Sequence, residues 1–310
     1  MTDRRVPLPP LSGAFNLTGW WDAVVKPGDQ VFFPEKARYR TEWAWLKVAG
    51  NKIHGRGSTL VSTAPPPPPV AGVWKAPCVL HGSGIQVDDL FTEGPRPAGT
   101  AGNSTYQGQH GFTLGAPGMP LEDVTLCRTG SKGIYGDHVH VDGAHGVAIW
   151  NYHGETESGR KGLSIVDASD VMVQGGAING WSTALNFEVH EGATVSDVHI
   201  ENVDLAWRNM AITGTGEGDA HDIAFKDLRG AGTHKLSIQV YGTGSLGDWT
   251  PDDPGEPREY GLRTNWSIDG FTNVRTPTAT KSYRMEYVDG LHLAGLPPYP
   301  MTTTGSTLVA

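Results

Sequence analysis

Between Leu121 and Gly242 one short unit recurs, and a chain that repeats itself at such an interval has few folds open to it. The unit is an acidic residue, an apolar-x-apolar strand, a turn and a second short strand. It reads Asp123-Val124-Thr125-Leu126, Asp137-His138-Val139-His140-Val141, Asp170-Val171-Met172-Val173, Asp197-Val198-His199-Ile200 and Asp222-Ile223-Ala224-Phe225. With Val124, Val139, Val171, Val198 and Ile223 as equivalents, the steps are 15, 32, 27 and 25 residues. The last three are solenoid steps; the first is too short for a coil, so Val124 or Val139 is out of register. Second strands follow at Gly146–Trp150, Ala184–Val189, Met210–Thr213 and Leu236–Tyr241, each alternating apolar and polar residues. One coil of this kind cannot bury its apolar face alone, whereas a stack of coils can. The expected fold is all-β, a parallel β-helix with long loop insertions and irregular termini.

Composition agrees and narrows the function. Glycine, 42 of 310 residues, and proline, 22, signal tight turns and little helix. A net charge of -9 with no basic run argues against nucleic acid or an anionic membrane as partner. Two cysteines, Cys78 and Cys127, give no disulfide framework or CxxC metal pattern and are expected to be free thiols. Met1 to Pro7 carry no apolar run, so no signal peptide is expected, and no membrane-length apolar stretch occurs.

Residues 1–20 read as an irregular arm. After them come Lys26-Pro27-Gly28-Asp29-Gln30-Val31-Phe32-Phe33-Pro34, then Tyr39-Arg40, then Ile53-His54-Gly55-Arg56-Gly57-Ser58-Thr59-Leu60. The Pro-Gly-Asp turn sets up a strand, and the Gly-x-Gly segment lets the next begin without a Cβ clash. In this order the motifs resemble the opening coils of the pectin lyase-like, right-handed parallel β-helix superfamily, over residues 20–62 by motif and 121–242 by repeat. One β-helix domain over 21–296 is expected, with insertions near 82–120 and 242–260 and a C-terminal extension over 297–310 that leaves the core. Pro65–Pro69 reads as a stiff polyproline bridge between coils.

The second strands supply the candidate ligand surface. With apolar residues inward, Trp150, Asn186, Glu188, Gln239 and Tyr241 point outward and offer a saccharide an aromatic face, amides and a carboxylate. If the chain is an enzyme, Glu188 with Glu155 or Asp204 is the candidate carboxylate pair for hydrolysis. A lyase would instead use Arg208 as base, with calcium held near Glu217 and Asp219; otherwise no cofactor is expected. His138, His140, Asp142, His145 and His153 lie close in sequence. Alternation puts His138 and His140 on one side of a strand, as on a plain exposed face, so no metal site is expected.

The superfamily includes polysaccharide lyases, glycoside hydrolases and phage tail proteins. The resemblance is nearest to the last, and implies a virion component assembled in the host cytoplasm, a minor tail or tailspike-like receptor-binding protein. Its partners would be host surface polysaccharide and other tail proteins, as a homotrimer, with neither nucleic acid nor membrane insertion. The alternative is a polysaccharide lyase or glycoside hydrolase.

Overall fold

A computed structural model of the chain describes residues 2–41, 43–62, 76–96, 109–155, 160–232, 238–242, 260–273, 283–298 and 300–309. The polyproline segment and most of the insertion after residue 242 lie outside them. Apart from one helix, Leu17–Val24, the described elements are strands, joined in a single sheet by parallel pairings between successive coils. The sheet winds around three faces. The long strands Cys78–Glu93, Val139–Gly154, Lys161–Asn179 and Asp219–Gly232 turn corners and contribute to more than one face.

On face A the inward residues Val31, Ile53, Val87, Leu126, Ile149, Val173, Ile200, Phe225 and Ile268 stack in register, one per coil, each no more than 1% exposed. β-Branched residues suit such a pleated stack. Face B follows face A around a tight bend; Thr59, Phe91, Gly130, His153, Ala177, Asp204, Arg229 and Thr272 stack along it in register, and Ile178 and Leu205 point inward. Face C carries Phe112, Val139, Leu163, Leu185, Ile212, Ile238 and Tyr283 inward, again in register. The three inward rows enclose one continuous core.

The bends explain the acidic head of the repeat. Gly84, Asp123, Gly146, Asp170, Asp197, Asp222, Asn265 and Gly290 each precede a face A strand, and all have a left-handed backbone, with φ between 52° and 69°. A second left-handed row, Asp89, Arg128, Asn151, Gly175, Asn202, Asp227, Gly270 and Gly295, closes face A before face B. Gly, Asn and Asp tolerate this conformation best, so the repeated acid is a turn device. Asp137 has no left-handed backbone and does not belong to the row. The true equivalent of Val124 is Val147, paired with Val124 on one side and Val171 on the other, which gives steps of 23 and 24 residues. Val139 belongs to face C, where it pairs with Phe112 and Leu163.

This assignment predicts a selective response at Asp197, which is exposed on its bend. Asp197→Val should cost about 1–2 kcal/mol, the left-handed penalty for a branched side chain, while Asp197→Gly should stay within about 0.5 kcal/mol. Urea midpoints at constant m-value would check it; equal losses in both variants would contradict the turn role.

Both termini pack on the solenoid. Asp3–Arg5 adds a parallel strand to Gln30–Phe32, and Leu17–Val24, N-capped by Asn16 Oδ1 accepting from Gly19 N at 2.9 Å, lays Leu17 and Trp21 over the first coils. Trp21 Nε1 donates to Lys47 O at 2.8 Å, which ties this helix to the sheet. The C-terminal segment, expected to leave the core, instead pairs Met301–Thr302 with Tyr283–Arg284 and bridges Leu308 to Leu291. Cys78–Glu93 forms regular strand through the start of the stretch expected as an insertion. Both cysteines are free, Cys78 buried and Cys127 half-buried. No described helix is long and apolar enough to cross a membrane.

Candidate functional site

The outward residues of face C form a ladder across the coils: Thr113, His140, Ser164, Asn186, Thr213, Gln239 and Arg284. The second-strand assignment holds for 184–189, 210–213 and 238–241, which share this face. Trp150 is the exception: it lies on face A, paired with Cys127 and Gln174, because Gly146–Trp150 follows the bend at Gly146. The ladder brings Asn186 and Gln239 together but leaves Trp150 on a different side of the solenoid.

Much of the ladder satisfies itself. Asn186 Nδ2 donates to Ser164 Oγ at 3.0 Å and Asn186 Oδ1 accepts from Thr213 Oγ1 at 2.7 Å, so a polar thread links three coils. Asn186 and Gln239 are each 4% exposed. Tyr241 is fully buried against Tyr260, with the Arg284 guanidinium 5.2 Å from its ring centre, and burial pushes its phenol up to about 12. Hydrogen-bonding groups so enclosed hold the coils in register first and offer a ligand only what remains.

Charge gathers where the chain turns from face B into face C. Lys161 Nζ donates to Glu188 Oε2, and Arg160 lies 3.9 Å from the same oxygen. The Lys161 ammonium, outweighing the opposing effect of burial, holds the Glu188 carboxyl down at about 2. Asp137 belongs to the same cluster. Burial would raise its pKa, but the His140 hydrogen bond and the positive charge around it hold it well below the usual carboxylate range. His110 stacks on His140, ring centres 4.2 Å apart and 9° from parallel, and burial lowers its pKa well below the usual imidazole range. Trp181, half-buried beside this cluster, has Arg208 4.7 Å from its ring centre and Arg96 at 5.5 Å.

The remaining candidates divide. Glu155 Oε2 accepts from Gly133 N at 2.9 Å, and its residue borders a groove of about 400 Å³ on face B with Thr59, Phe91, Gly130, Lys132 and His153. Pockets for small ligands begin near this size. Arg208 is exposed and lies over the Trp181 ring, while Glu188 sits with Lys161. Asp204, exposed, is paired to Arg229 at 2.6 Å on face B. His138 and His140, expected on an exposed strand face, are both buried. His138 bonds Ser131 Oγ through Nδ1 and the Glu155 carbonyl through Nε2, and Ser131 also meets the Tyr152 hydroxyl. His145 is exposed and bonded to Ser169 Oγ at 2.8 Å.

Sequence reading missed Lys161, Arg160, His110 and Trp181 as members of the site. The available signal was Arg160-Lys161, a charged pair set directly before the apolar strand Leu163–Ile165, where a solvated loop has no need of it. Chemically, the face offers fixed anions matched to fixed cations beside an aromatic ring. A general acid for glycoside cleavage needs a carboxyl held protonated at the working pH, and here the environment acts in the opposite direction on both Asp137 and Glu188.

No protein-family model matches the sequence, and no curated protein does. Among solved structures, the endo-xylogalacturonan hydrolase of Aspergillus tubingensis superposes with a TM-score of 0.58 at 12% identity, covering 99% of this chain and 95% of that one. The family 28 exopolygalacturonase of Yersinia enterocolitica gives 0.51 at 12% identity, over 96% and 76%. PfbA, a surface adhesin of Streptococcus pneumoniae, gives 0.46 at 10% identity, over 94% and 85%. The fold is a right-handed parallel β-helix.

Proposed function

We propose that this chain binds host cell-surface polysaccharide on face C without cleaving it, as a receptor-binding or minor tail component of a phage virion. One feature carries the non-cleaving part: neighbouring partners lower the pKa of both carboxylates of the cluster, buried Asp137 and half-buried Glu188. Such groups accept hydrogen bonds from hydroxyls but cannot protonate a leaving oxygen near neutral pH. Trp181 beside the cluster adds an apolar ring of the kind sugars stack on, and the face B groove continues the surface around the corner. The virion setting and the homotrimer rest on a combination seen in phage tail proteins of this fold: a β-solenoid, Pro-rich or polar terminal segments, and no compelling catalytic set in the sequence.

The test is incubation of the purified protein with a panel of bacterial surface polysaccharides, following retention of the protein together with release of reducing or unsaturated ends. Retention without release is expected, weakened about 10-fold or more by Glu188→Gln and unchanged by Trp150→Ala, which alters a different face. Release of reducing ends would make the protein a hydrolase instead. Unsaturated ends lost in Arg208→Ala would make it a lyase.

A further inference from the structure

Asp137 is the one repeat-head acid that the bends do not use, and its surroundings suit a metal ion. Its Oδ2 lies 3.1 Å from His140 Nδ1 and 3.7 Å from His110 Nδ1. All three residues are buried, and their ligand atoms fall within 4.8 Å of one another. Donors bonded to one tetrahedral ion at about 2.0–2.1 Å lie roughly 3.4 Å apart, and the observed pair of distances brackets that value. A second observation points the same way. Asp137 Oδ1 is buried with no hydrogen-bond partner among the described residues. An ionised oxygen enclosed without a partner is strongly disfavoured, and a cation bound by the carboxylate would relieve it.

We propose that His110, Asp137 and His140 bind one divalent first-row transition ion, of which zinc is the best match. Two imidazoles and one carboxylate suit such borderline ions and are poorly matched to calcium or magnesium, which take oxygen ligands. Asp142 Oδ2 lies 3.9 Å from His140 Nε2, beyond hydrogen-bond range, and adds negative charge beside the site. The ion takes the place of the Asp137 N–H, which donates to His110 Nδ1 at 3.0 Å. Lys161 and Arg160 oppose a dication, and Glu188 offsets them through the pairs already described. Binding here ties the segment ahead of Phe112–Leu114 to the start of Val139–Gly154, so it stabilises the corner that shapes face C.

The full chain, stripped with EDTA and dialysed, is titrated with Zn²⁺ by calorimetry and with Co²⁺ by visible absorption. One ion per chain is expected, with cobalt d–d bands and a Zn²⁺-dependent rise in Tm. Asp137→Asn and His110→Gln should each weaken binding about 10- to 100-fold or more, while His145→Ala, on the exposed face A side, should leave it unchanged. Circular dichroism confirms that each variant is folded. The unmodified chain decides the matter if a variant is not. Absence of saturable binding to it, or binding that survives Asp137→Asn and fails in His145→Ala, overturns the proposal. Polysaccharide retention by the metal-free chain, measured separately, distinguishes failure of this site from failure of the ligand face.

Discussion

Trp266→Ala is expected to cost about 3–5 kcal/mol of folding stability, the usual range for emptying a large aromatic site in a core. Trp266 is 1% exposed and stands in the inward row of face A next to Ile223. Its ring meets Phe187 edge-on at 5.4 Å and Phe225 at 6.1 Å, so it joins face A to face C across the lumen. Its Nε1 donates to Ala220 O at 3.1 Å, and this carbonyl would lose its indole partner. The indole also occupies the space above Gly214, where a Cβ would come within 2.7 Å of it. A small residue on one face thus admits the large one from the other, and neighbouring coils have no spare side chain to collapse inward. Chemical unfolding followed by far-UV circular dichroism gives the cost. A loss under about 1 kcal/mol would mean that the lumen repacks around the vacancy, contrary to this picture.

Stacking was legible in the sequence because a solenoid writes its register into every coil. The alternation at Val171, Val198 and Ile223 identifies face A, and the acids before them mark the bend. What misled was chemical economy: Asp137 looks like the other heads, and His138-Val139-His140-Val141 alternates like the other strands. Only pairing separates them, since Val139 lies beside Phe112 and Leu163 while the bend before Val147 is made by Gly146. A reading that allowed glycine and aspartate to substitute for each other at a left-handed position would have found the even step of 23 and 24 residues. The same slip moved Trp150 from face A into the ladder of face C.

The site was legible only in part. Outward positions on face C follow from alternation, so Asn186, Glu188 and Gln239 could be grouped from spacing alone. Their partners could not, because Lys161, Arg160 and His110 come from corner segments whose lengths vary from coil to coil. Alternation also says nothing about whether an outward residue is covered: Tyr241 points away from the core and is still fully buried. Arg263 is a similar case. It takes the register position of Ala220 and, at 1% exposure, donates to the carbonyls of Gly216, Gly218 and Leu262, which no local pattern announces.

Lys161→Met should be the most disruptive change to the charged cluster, at about 2 kcal/mol. This is less than the 3–5 kcal/mol for breaking a fully buried pair, because the Glu188 side chain keeps 38% of its exposure. Lys161, at 6%, cannot be replaced by solvent, so its loss leaves Glu188 near Asp137 with only Arg160 at 3.9 Å to offset it. The double change Lys161→Met with Glu188→Leu removes both charges and should recover most of the loss. Acidity gives an independent readout. The folded-state pKa of Glu188 lies near 2, below its ordinary value of 4.5, so the pair's contribution is complete above 4.5 and fades as the pH falls toward 2. Urea unfolding at pH 7 and pH 3 should therefore show a fall in stability that is smaller in Lys161→Met than in the unmodified chain. If the variant loses as much between the two pH values as its parent, the ammonium is not what holds Glu188 ionised. The argument that face C binds without cleaving would then lose its support, since a carboxyl free to protonate could act as the acid that cleavage requires.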